Sequence, residues 1–121
     1  MRIRTFWAGV TAAGLMAFPV TAQDGQYAPQ LTRILTEAAG GTCLEALMAT
    51  SLLDVCNGQI QGMAPALNAL GAIETVTFVS AEDTAEGRVE TYSVKFSTGR
   101  TMTWFIGHES DGKFSVVGSG G

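Results

Sequence analysis

The sequence predicts an α+β fold in which N-terminal helices pack on a four-stranded antiparallel sheet. Before Gly71 the apolar residues recur every three or four positions, as on one face of a helix. After Gly71 they alternate with polar residues, as in half-buried strands. The 121 residues are 46% hydrophobic and 15% charged, which is the composition of a globular domain. A helical half followed by a strand half is typical of a layered α+β domain.

Residues 1–22 are predicted to be a cleaved signal peptide. Arg2 and Arg4 precede an uncharged apolar stretch, and small residues precede the expected cleavage site. The stretch has about 15 residues, fewer than the ~20 that a membrane-spanning helix needs. We therefore expect an exported protein, periplasmic or secreted, in which residues 23–121 form one domain that is not inserted in a membrane.

The helical half, at about 27–70, is predicted to contain three helices. The first begins near Pro29, which suits the first turn of a helix, and ends before the two glycines at 40–41. Its apolar residues are spaced as on one helical face. They are Leu31, Ile34, Leu35 and Ala38.

The second and third helices are predicted to be separated at Asn57-Gly58. The second starts with a capping box, in which Thr42 and Glu45 each satisfy the other's backbone amide. The third ends at Gly71, and Pro65 is expected in its first turn because a proline deeper in a helix removes a backbone hydrogen bond. The apolar residues of these two helices are Leu44, Leu47, Met48, Leu52 and Val55, then Ile60, Met63, Leu67 and Leu70.

The strand half, at about 73–117, is predicted to form a meander of four strands. Turn signals separate the strands at Glu86-Gly87, Thr98-Gly99 and Asp111-Gly112. Alternation then defines the face of the sheet that meets the helices. Its residues are Val76, Phe78, Tyr92, Val94, Phe96, Met102, Trp104, Ile106, Phe114 and Val116.

The second half of the chain also resembles a known family. The passage Leu70–Phe78 closes a helix and turns directly into a strand, and it is followed by Tyr92–Phe96, Thr103–Ile106 and Asp111–Lys113. This pattern, over about residues 63–117, resembles small exported bacterial domains of the nuclear-transport-factor-2-like group. The resemblance implies a curled sheet (the cystatin-like roll), frequent dimers, and a pocket between sheet and helix. That family contains isomerases, dehydratases and many non-catalytic binding modules.

Composition and missing motifs exclude several functions. Without Arg2 and Arg4, five basic residues remain against eleven acidic ones, so no basic stripe is available for nucleic acid. A single histidine cannot supply a histidine-rich zinc site, and the acidic stretch at 82–86 lacks the spacing of a calcium loop. No phosphate-binding or dinucleotide-binding motif is present. We therefore expect no metal and no cofactor.

Cys43 and Cys56 form an even pair in a chain predicted to be exported, which favours a disulfide. In one unbroken helix their Cα atoms would lie about 20 Å apart. A disulfide needs about 7 Å or less. The bond therefore requires the helix to break, and Thr50-Ser51 is the expected place. Free thiols and an intermolecular bridge are the alternatives.

Strand register indicates a candidate site at one end of the sheet. If residues 97–100 form the turn between the second and third strands and the apolar residues stay on one face, Phe96 lies opposite Met102 and Glu90 lies opposite His108. With Tyr92 and Trp104, these residues would lie at the rim of a pocket. The functional hypothesis is a ligand contact or an acid–base pair that titrates near neutral pH. The alternative is a surface ion pair across the strands.

The opposite face of the sheet is polar except at three positions. Val79, Phe105 and Val117 share the parity of the polar residues and would form an apolar patch. A patch of this kind favours an interface. We therefore predict a homodimer through this face, and the alternative is that terminal segments cover the patch within one chain.

These observations lead to two functional hypotheses. The first is an exported, non-catalytic binding or interaction module, whose partner is an unknown small molecule or an envelope protein. The alternative is a small periplasmic lyase or isomerase that uses the pocket between sheet and helix. An enzyme should have a deep cavity that holds a carboxylate, whereas a module should have its cavity filled by side chains. The apolar side chains of the inner sheet face favour the module, and an envelope structural protein is a third alternative.

Overall fold

The computed structural model describes residues 25–120, so the predicted signal peptide lies outside the described residues. The helices are α1 (Ala28–Ala39), a short 3₁₀ helix (Glu45–Leu47) and α2 (Thr50–Leu70). The strands are β1 (Ile73–Thr84), β2 (Gly87–Phe96), β3 (Thr101–Ser110) and β4 (Lys113–Ser119). They form one curled, unclosed sheet in the order β1-β2-β3-β4, with all neighbours antiparallel. The predicted α+β class is confirmed.

Helix α1 agrees with the prediction. Pro29 lies in its first turn, and all four residues of the predicted apolar stripe are buried. The chain leaves the helix through Gly41, whose φ of 90° is a conformation that glycine adopts without strain. The amide of Thr42 then donates to the carbonyl of Glu37 at 2.9 Å.

Residues Thr50–Leu70 form one uninterrupted helix, so the predicted separation of two helices at Asn57-Gly58 is wrong. The buried stripe of α2 has Leu52 and Cys56 before this point and Leu67 after it, with the partly buried Ile60 and Met63 between them. Pro65 lies inside the helix rather than in its first turn. It is exposed, as is Gln61, whose carbonyl loses its helical donor and can bond to water instead.

The predicted capping box is also wrong. Between 42 and 49 the helical structure is limited to a 3₁₀ turn, whose N-cap residue Leu44 makes no side-chain capping bond. The disulfide explains this path, because Cys43 and Cys56 are bonded with their Cα atoms 5.9 Å apart. Helix α2 begins at Thr50, where the sequence predicted that the helix must break. The intramolecular disulfide is confirmed.

The hairpin between β2 and β3 has a shorter turn than predicted. The amide of Phe96 donates to the carbonyl of Arg100 at 2.8 Å, and Gly99 completes a three-residue turn with a φ of 93°. Glu90 consequently lies opposite Ile106 rather than His108, and the predicted pairing is wrong. The shift is two residues, which leaves every side chain on its predicted face, so alternation could not detect it.

The hairpin between β3 and β4 has a two-residue turn, whereas the sequence predicted three. Asp111 and Gly112 both have positive φ, 54° and 80°, as in the Asp-Gly turn that joins twisted strands. Phe114 stays buried as predicted, but the difference of one residue exchanges the faces of Val116 and Val117. Val117 lies opposite the buried Ile106 and packs against the core, while Val116 moves to the other face.

The core lies between one face of the sheet and the two helices. The sheet contributes six buried residues that were predicted for this face, and the helices cover them. These six residues are Tyr92, Val94, Phe96, Trp104, Ile106 and Phe114. No helix within residues 25–120 is both long enough and apolar enough to span a bilayer.

Candidate functional site

The first notable feature is Glu90, a carboxylate with 0% exposure near the start of β2. It accepts hydrogen bonds from the backbone amides of Gln26 (2.9 and 3.0 Å to its two oxygens) and Tyr27 (3.0 Å). The hydroxyl of Tyr92 donates to it at 2.5 Å and the Nε of Arg88 at 2.6 Å. Both oxygens of the buried carboxylate are therefore occupied by donors from the same chain.

We call Glu90, Arg88 and Tyr92, with the amides of Gln26 and Tyr27, the Glu90 cluster. Its hydrogen bonds determine the charge states of Glu90 and Tyr92. Burial alone would raise the pKa of Glu90, but the hydrogen bonds from Tyr92, Gln26, Arg88 and Tyr27 outweigh burial and lower this pKa below its ordinary value. Burial and the bond to the carboxylate raise the pKa of Tyr92. Glu90 is therefore ionised at neutral pH and Tyr92 is neutral. A base whose two oxygens are already bonded cannot readily accept a proton from a substrate.

The Glu90 cluster holds the segment that leads into α1 against the sheet through hydrogen bonds. Tyr27 is the N-cap residue of this helix, and a carboxylate at a helix N-terminus is favoured by the exposed amides and the helix dipole. Gly25 lies against the sheet so closely that a Cβ there would collide with the Tyr92 hydroxyl and would come within 2.8 Å of the Phe78 ring. The segment from Gly25 to Tyr27 is therefore fixed by the cluster.

The structure separates His108 from the other predicted site residues. Glu90 and Tyr92 are in direct contact, and Trp104 is the cross-strand partner of Tyr92. The Nε2 atom of His108 instead lies 3.0 Å from the Oγ1 atom of Thr84. A ligand-contact role for these residues stays a prediction, but it cannot rest on a pair between Glu90 and His108.

The second feature is a cavity of about 50 Å³ between the two helices and the sheet. The described residues that line it are uncharged and mostly apolar. They include Leu35 from α1, Leu52, Cys56 and Gln59 from α2, and Trp104 and Val117 from the sheet. Val55 and Gln59 are exposed members of the lining, so the cavity meets solvent on their side.

Trp104 gives this cavity a polar group. The residue is 6% exposed, and its Nε1 atom is buried with no hydrogen-bond partner among residues 25–120. Buried donors in native proteins are nearly always paired, and an unpaired one costs about 1–3 kcal/mol. Gln30 Oε1 is likewise unpaired, but Gln30 does not line this cavity. Trp104 therefore combines a place in the cavity lining with a buried donor that has no partner among residues 25–120.

The apolar patch predicted on the outer face does not form as expected. Val117 belongs to the core side, for the register reason given above. Val79 is 57% exposed and Phe105 is half-buried. A homodimer through this face stays a prediction. Within the described part of the chain, no three His, Cys, Asp or Glu residues are grouped as metal ligands.

Sequence reasoning missed three parts of these sites: Arg88, the backbone amides before α1, and Gln59. A signal for Arg88 was present, because Arg88, Glu90 and Tyr92 occupy alternate positions and so share one face of β2. A charged pair on the face that carries the core indicates a buried network. The amides and Gln59 come from distant parts of the chain and leave no local pattern.

The comparisons with known proteins do not decide between the two functional hypotheses. No protein-family model matches the chain, and no curated protein or solved structure is significantly similar to it.

Proposed function

We propose that this protein is an exported, non-catalytic binding module that holds a small, uncharged and largely apolar ligand with a hydrogen-bond acceptor. The ligand occupies the cavity between the helices and the sheet. The observation that carries the proposal is that Trp104, which lines an apolar cavity, has a buried indole N–H without a partner among residues 25–120. An acceptor there removes the desolvation penalty of the donor and gains a hydrogen bond.

The position of the carboxylate favours the module over a lyase or isomerase. An enzyme of that type needs a general base within hydrogen-bond reach of the substrate. The described lining of the cavity contains no carboxylate, and the buried Glu90 is bonded to four donors of its own chain. Within residues 25–120, the cavity and the buried carboxylate are therefore not combined as an acid–base reaction requires.

The size of the cavity limits the ligand. A volume of about 50 Å³ is roughly a third of the 150 Å³ that holds benzene in a protein interior. Met48 and Met63 line the cavity, and their unbranched side chains can change rotamer to widen it. A compact group of a few heavy atoms, such as a short alkyl ketone, ester or amide, fits these conditions.

The location assigned to the protein rests on two observations. The Cys43–Cys56 disulfide is stable in oxidising compartments such as the periplasm or the extracellular space. The sequence of residues 1–22 has the pattern of an export signal. The helix-on-sheet architecture is also what the resemblance to the nuclear-transport-factor-2-like group implies, and membership of that group stays part of the proposal.

The test uses two probes of the same shape. 2-Butanone carries a carbonyl acceptor, and 2-methyl-1-butene replaces that oxygen with a CH₂ group. Titration is followed through the indole N–H resonances in ¹H–¹⁵N correlation spectra, and the Trp104 signal is assigned by its loss in Trp104→Phe. We expect saturable binding of 2-butanone in the millimolar range, as suits five heavy atoms. The Trp104 resonance should move downfield.

The alkene and the Trp104→Phe variant provide the controls. The alkene should bind at least several-fold more weakly, and Trp104→Phe should reduce the preference for the ketone to about the level of the apolar contacts alone. Equal effects of both probes on the indole resonance, or no saturable effect at all, would refute the proposed site.

A further inference from the structure

Among residues 25–120, no strand pairs with the outer edge of β4. Strand β4 ends the sheet, and the isolated bridge from Met48 meets it only at Phe114, where the amide of Ala49 donates to the Phe114 carbonyl at 2.9 Å. The Gly120 amide donates to Thr103 on β3 at 2.9 Å. Because neighbouring residues of a strand direct their backbone groups to opposite sides, the N–H and C=O groups of Ser119 and Val117 point to the open side.

This edge lacks the protection that sheet edges usually have. Natural proteins prevent an edge strand from pairing with another chain by means of charges, prolines or bulges. The other edge strand, β1, follows this rule, since it carries Glu74, Glu82 and Asp83 and has two register irregularities. From Phe114 to Ser119 strand β4 has no charge and no proline. The β4 edge is therefore able to pair with a further strand.

The neighbouring face of α2 is exposed and built from small residues. Gly58, Gly62 and Ala66 follow one another at four-residue intervals, and apart from the adjacent residues and backbone of the helix itself no described atom lies within 4 Å of a Cβ placed on either glycine. Each interior glycine costs a helix about 1 kcal/mol relative to alanine. Nothing within the described chain requires glycine at these positions, whereas a close neighbouring backbone would.

The small-residue face and the open edge lie on the same side of the molecule. One surface groove is lined by Gly58, Gly62 and Ala66 together with Ser119 of β4. A second groove joins Val55, which is 54% exposed, to β4 residues 115–118. A strand edge and a helix face thus form one continuous surface.

We infer that this surface binds a second copy of the chain, with β4 pairing antiparallel to its counterpart and the two α2 helices packing across the two-fold axis. An extended peptide would cover the strand edge but leave the helix face exposed. A second copy supplies both elements in matching positions, as an interface with two-fold symmetry requires. Paired strands lie about 4.8 Å apart, which brings the helices above them together, and glycines allow close helix packing.

Charge also favours a second copy at this surface. The chain has a formal net charge of −4, so two copies repel at most contacts. Helix α2 contains one charged residue, Asp54, and residues 114–119 contain none. This surface is thus one where copies can meet with little like-charge repulsion. The inference does not depend on the ligand proposed above.

The test measures the solution mass by light scattering over a concentration series. Gly62→Glu places two carboxylates at the axis without a clash inside the monomer, and Gln61→Glu adds the same charge to the same turn away from both grooves. Ser119→Pro removes an outward amide without removing a bond to β3. We expect dimers for the unmodified chain and Gln61→Glu. Gly62→Glu and Ser119→Pro should each raise the dimer Kd more than about tenfold.

Circular dichroism of each variant verifies that the monomer is folded, and Ser119→Pro tests the interface independently of α2. In the dimer, amide exchange at Val117 and Ser119 should slow on raising the protein concentration. A chain that stays monomeric at all concentrations would overturn the inference. So would a dimer that tolerates Gly62→Glu and Ser119→Pro, or one that dissociates only with Phe105→Asp on the outer face.

Discussion

Two buried polar groups in this protein have opposite environments. The carboxylate of Glu90 has four donors from its own chain, whereas the indole N–H of Trp104 has no acceptor in the described structure. They lie close in the sheet, since Tyr92 bonds to Glu90 and is the cross-strand partner of Trp104. A charge that is fully matched within the chain has a structural role. The unmatched donor of Trp104, a residue of the cavity lining, supports the ligand site proposed above.

The largest expected effect is at Glu90. Glu90→Ala leaves Arg88, the Tyr92 hydroxyl and two backbone amides without their common acceptor, and removing one member of a buried network of this kind costs about 3–5 kcal/mol. Urea unfolding followed by circular dichroism measures this loss. The matched control is Glu86→Ala at the exposed β1–β2 turn, which should change the stability by less than about 0.5 kcal/mol. A loss below about 1 kcal/mol for Glu90→Ala would contradict a structural role.

Removal of the disulfide should have the next largest effect. The bond closes a loop over a sequence separation of 13, and loops of that length are stabilised by about 3 kcal/mol. The double variant Cys43→Ser, Cys56→Ser should therefore unfold at lower urea concentration. Because Cys56 lines the cavity, the variant should also weaken 2-butanone binding, while the pH dependence due to Glu90 remains. Unfolding midpoints that agree with and without reductant in the unmodified chain would contradict this expectation.

Structural features that depend on residues close in sequence could be predicted, whereas features that depend on residues far apart in sequence could not. The apolar stripe of α1 and the alternation of the strands gave the correct fold class and the inner face of the sheet. The turn at Asp111-Gly112 was identified as a turn, but its length was not, and one residue was enough to exchange Val116 and Val117. Helix α2 runs through Asn57-Gly58 because tertiary packing of its buried stripe outweighs a local stop signal.

The candidate site was predicted only in part for the same reason. Glu90, Tyr92 and Trp104 were identified because they share a strand face, and they do lie together. The donors that complete the Glu90 cluster include the amides of Gln26 and Tyr27, which are more than sixty residues away in sequence. No local pattern encodes such contacts. His108 was assigned by a register argument that a two-residue shift overturned.

Tyr92→Phe tests the hydrogen-bonded network around Glu90 by the removal of one oxygen atom. The variant keeps the buried ring and removes the hydroxyl that donates to Glu90 at 2.5 Å. Hydrogen bonds to charged groups contribute about 1.5–3 kcal/mol, and we expect a loss of stability in that range. Thermal unfolding and urea unfolding should both show that the variant is less stable. Phe78→Leu, which alters the ring packed edge-on against Tyr92 without touching a hydrogen bond, separates lost packing from the lost bond.

Acid should weaken the same cluster in a defined pH range. The pKa of Glu90 in the folded protein lies below its ordinary value of 4.5. Its contribution to stability is therefore fully present above about pH 4.5 and is lost as the pH falls towards the folded-state pKa. The loss should be smaller than that of Glu90→Ala because a protonated carboxyl still occupies the site. Unfolding free energies from pH 7 to pH 2 should fall more steeply for the unmodified chain than for Glu90→Gln, and parallel curves would refute the assignment.

Trp104→Phe should have the smallest effect on stability and the most informative effect on binding. The substitution removes ring volume, which costs packing, but it also removes a buried donor whose lack of a partner costs about 1–3 kcal/mol. The two contributions have opposite signs, so we expect the free energy of unfolding to change by less than about 1 kcal/mol. Binding of 2-butanone should nevertheless lose its advantage over 2-methyl-1-butene. Tyr92→Phe, on the facing strand, should show the reverse, with lower stability and an unchanged preference for the ketone. If Trp104→Phe instead lost as much stability as Tyr92→Phe and bound both probes as before, the indole N–H would have a structural partner, and the contrast between the two buried groups would no longer indicate a binding site.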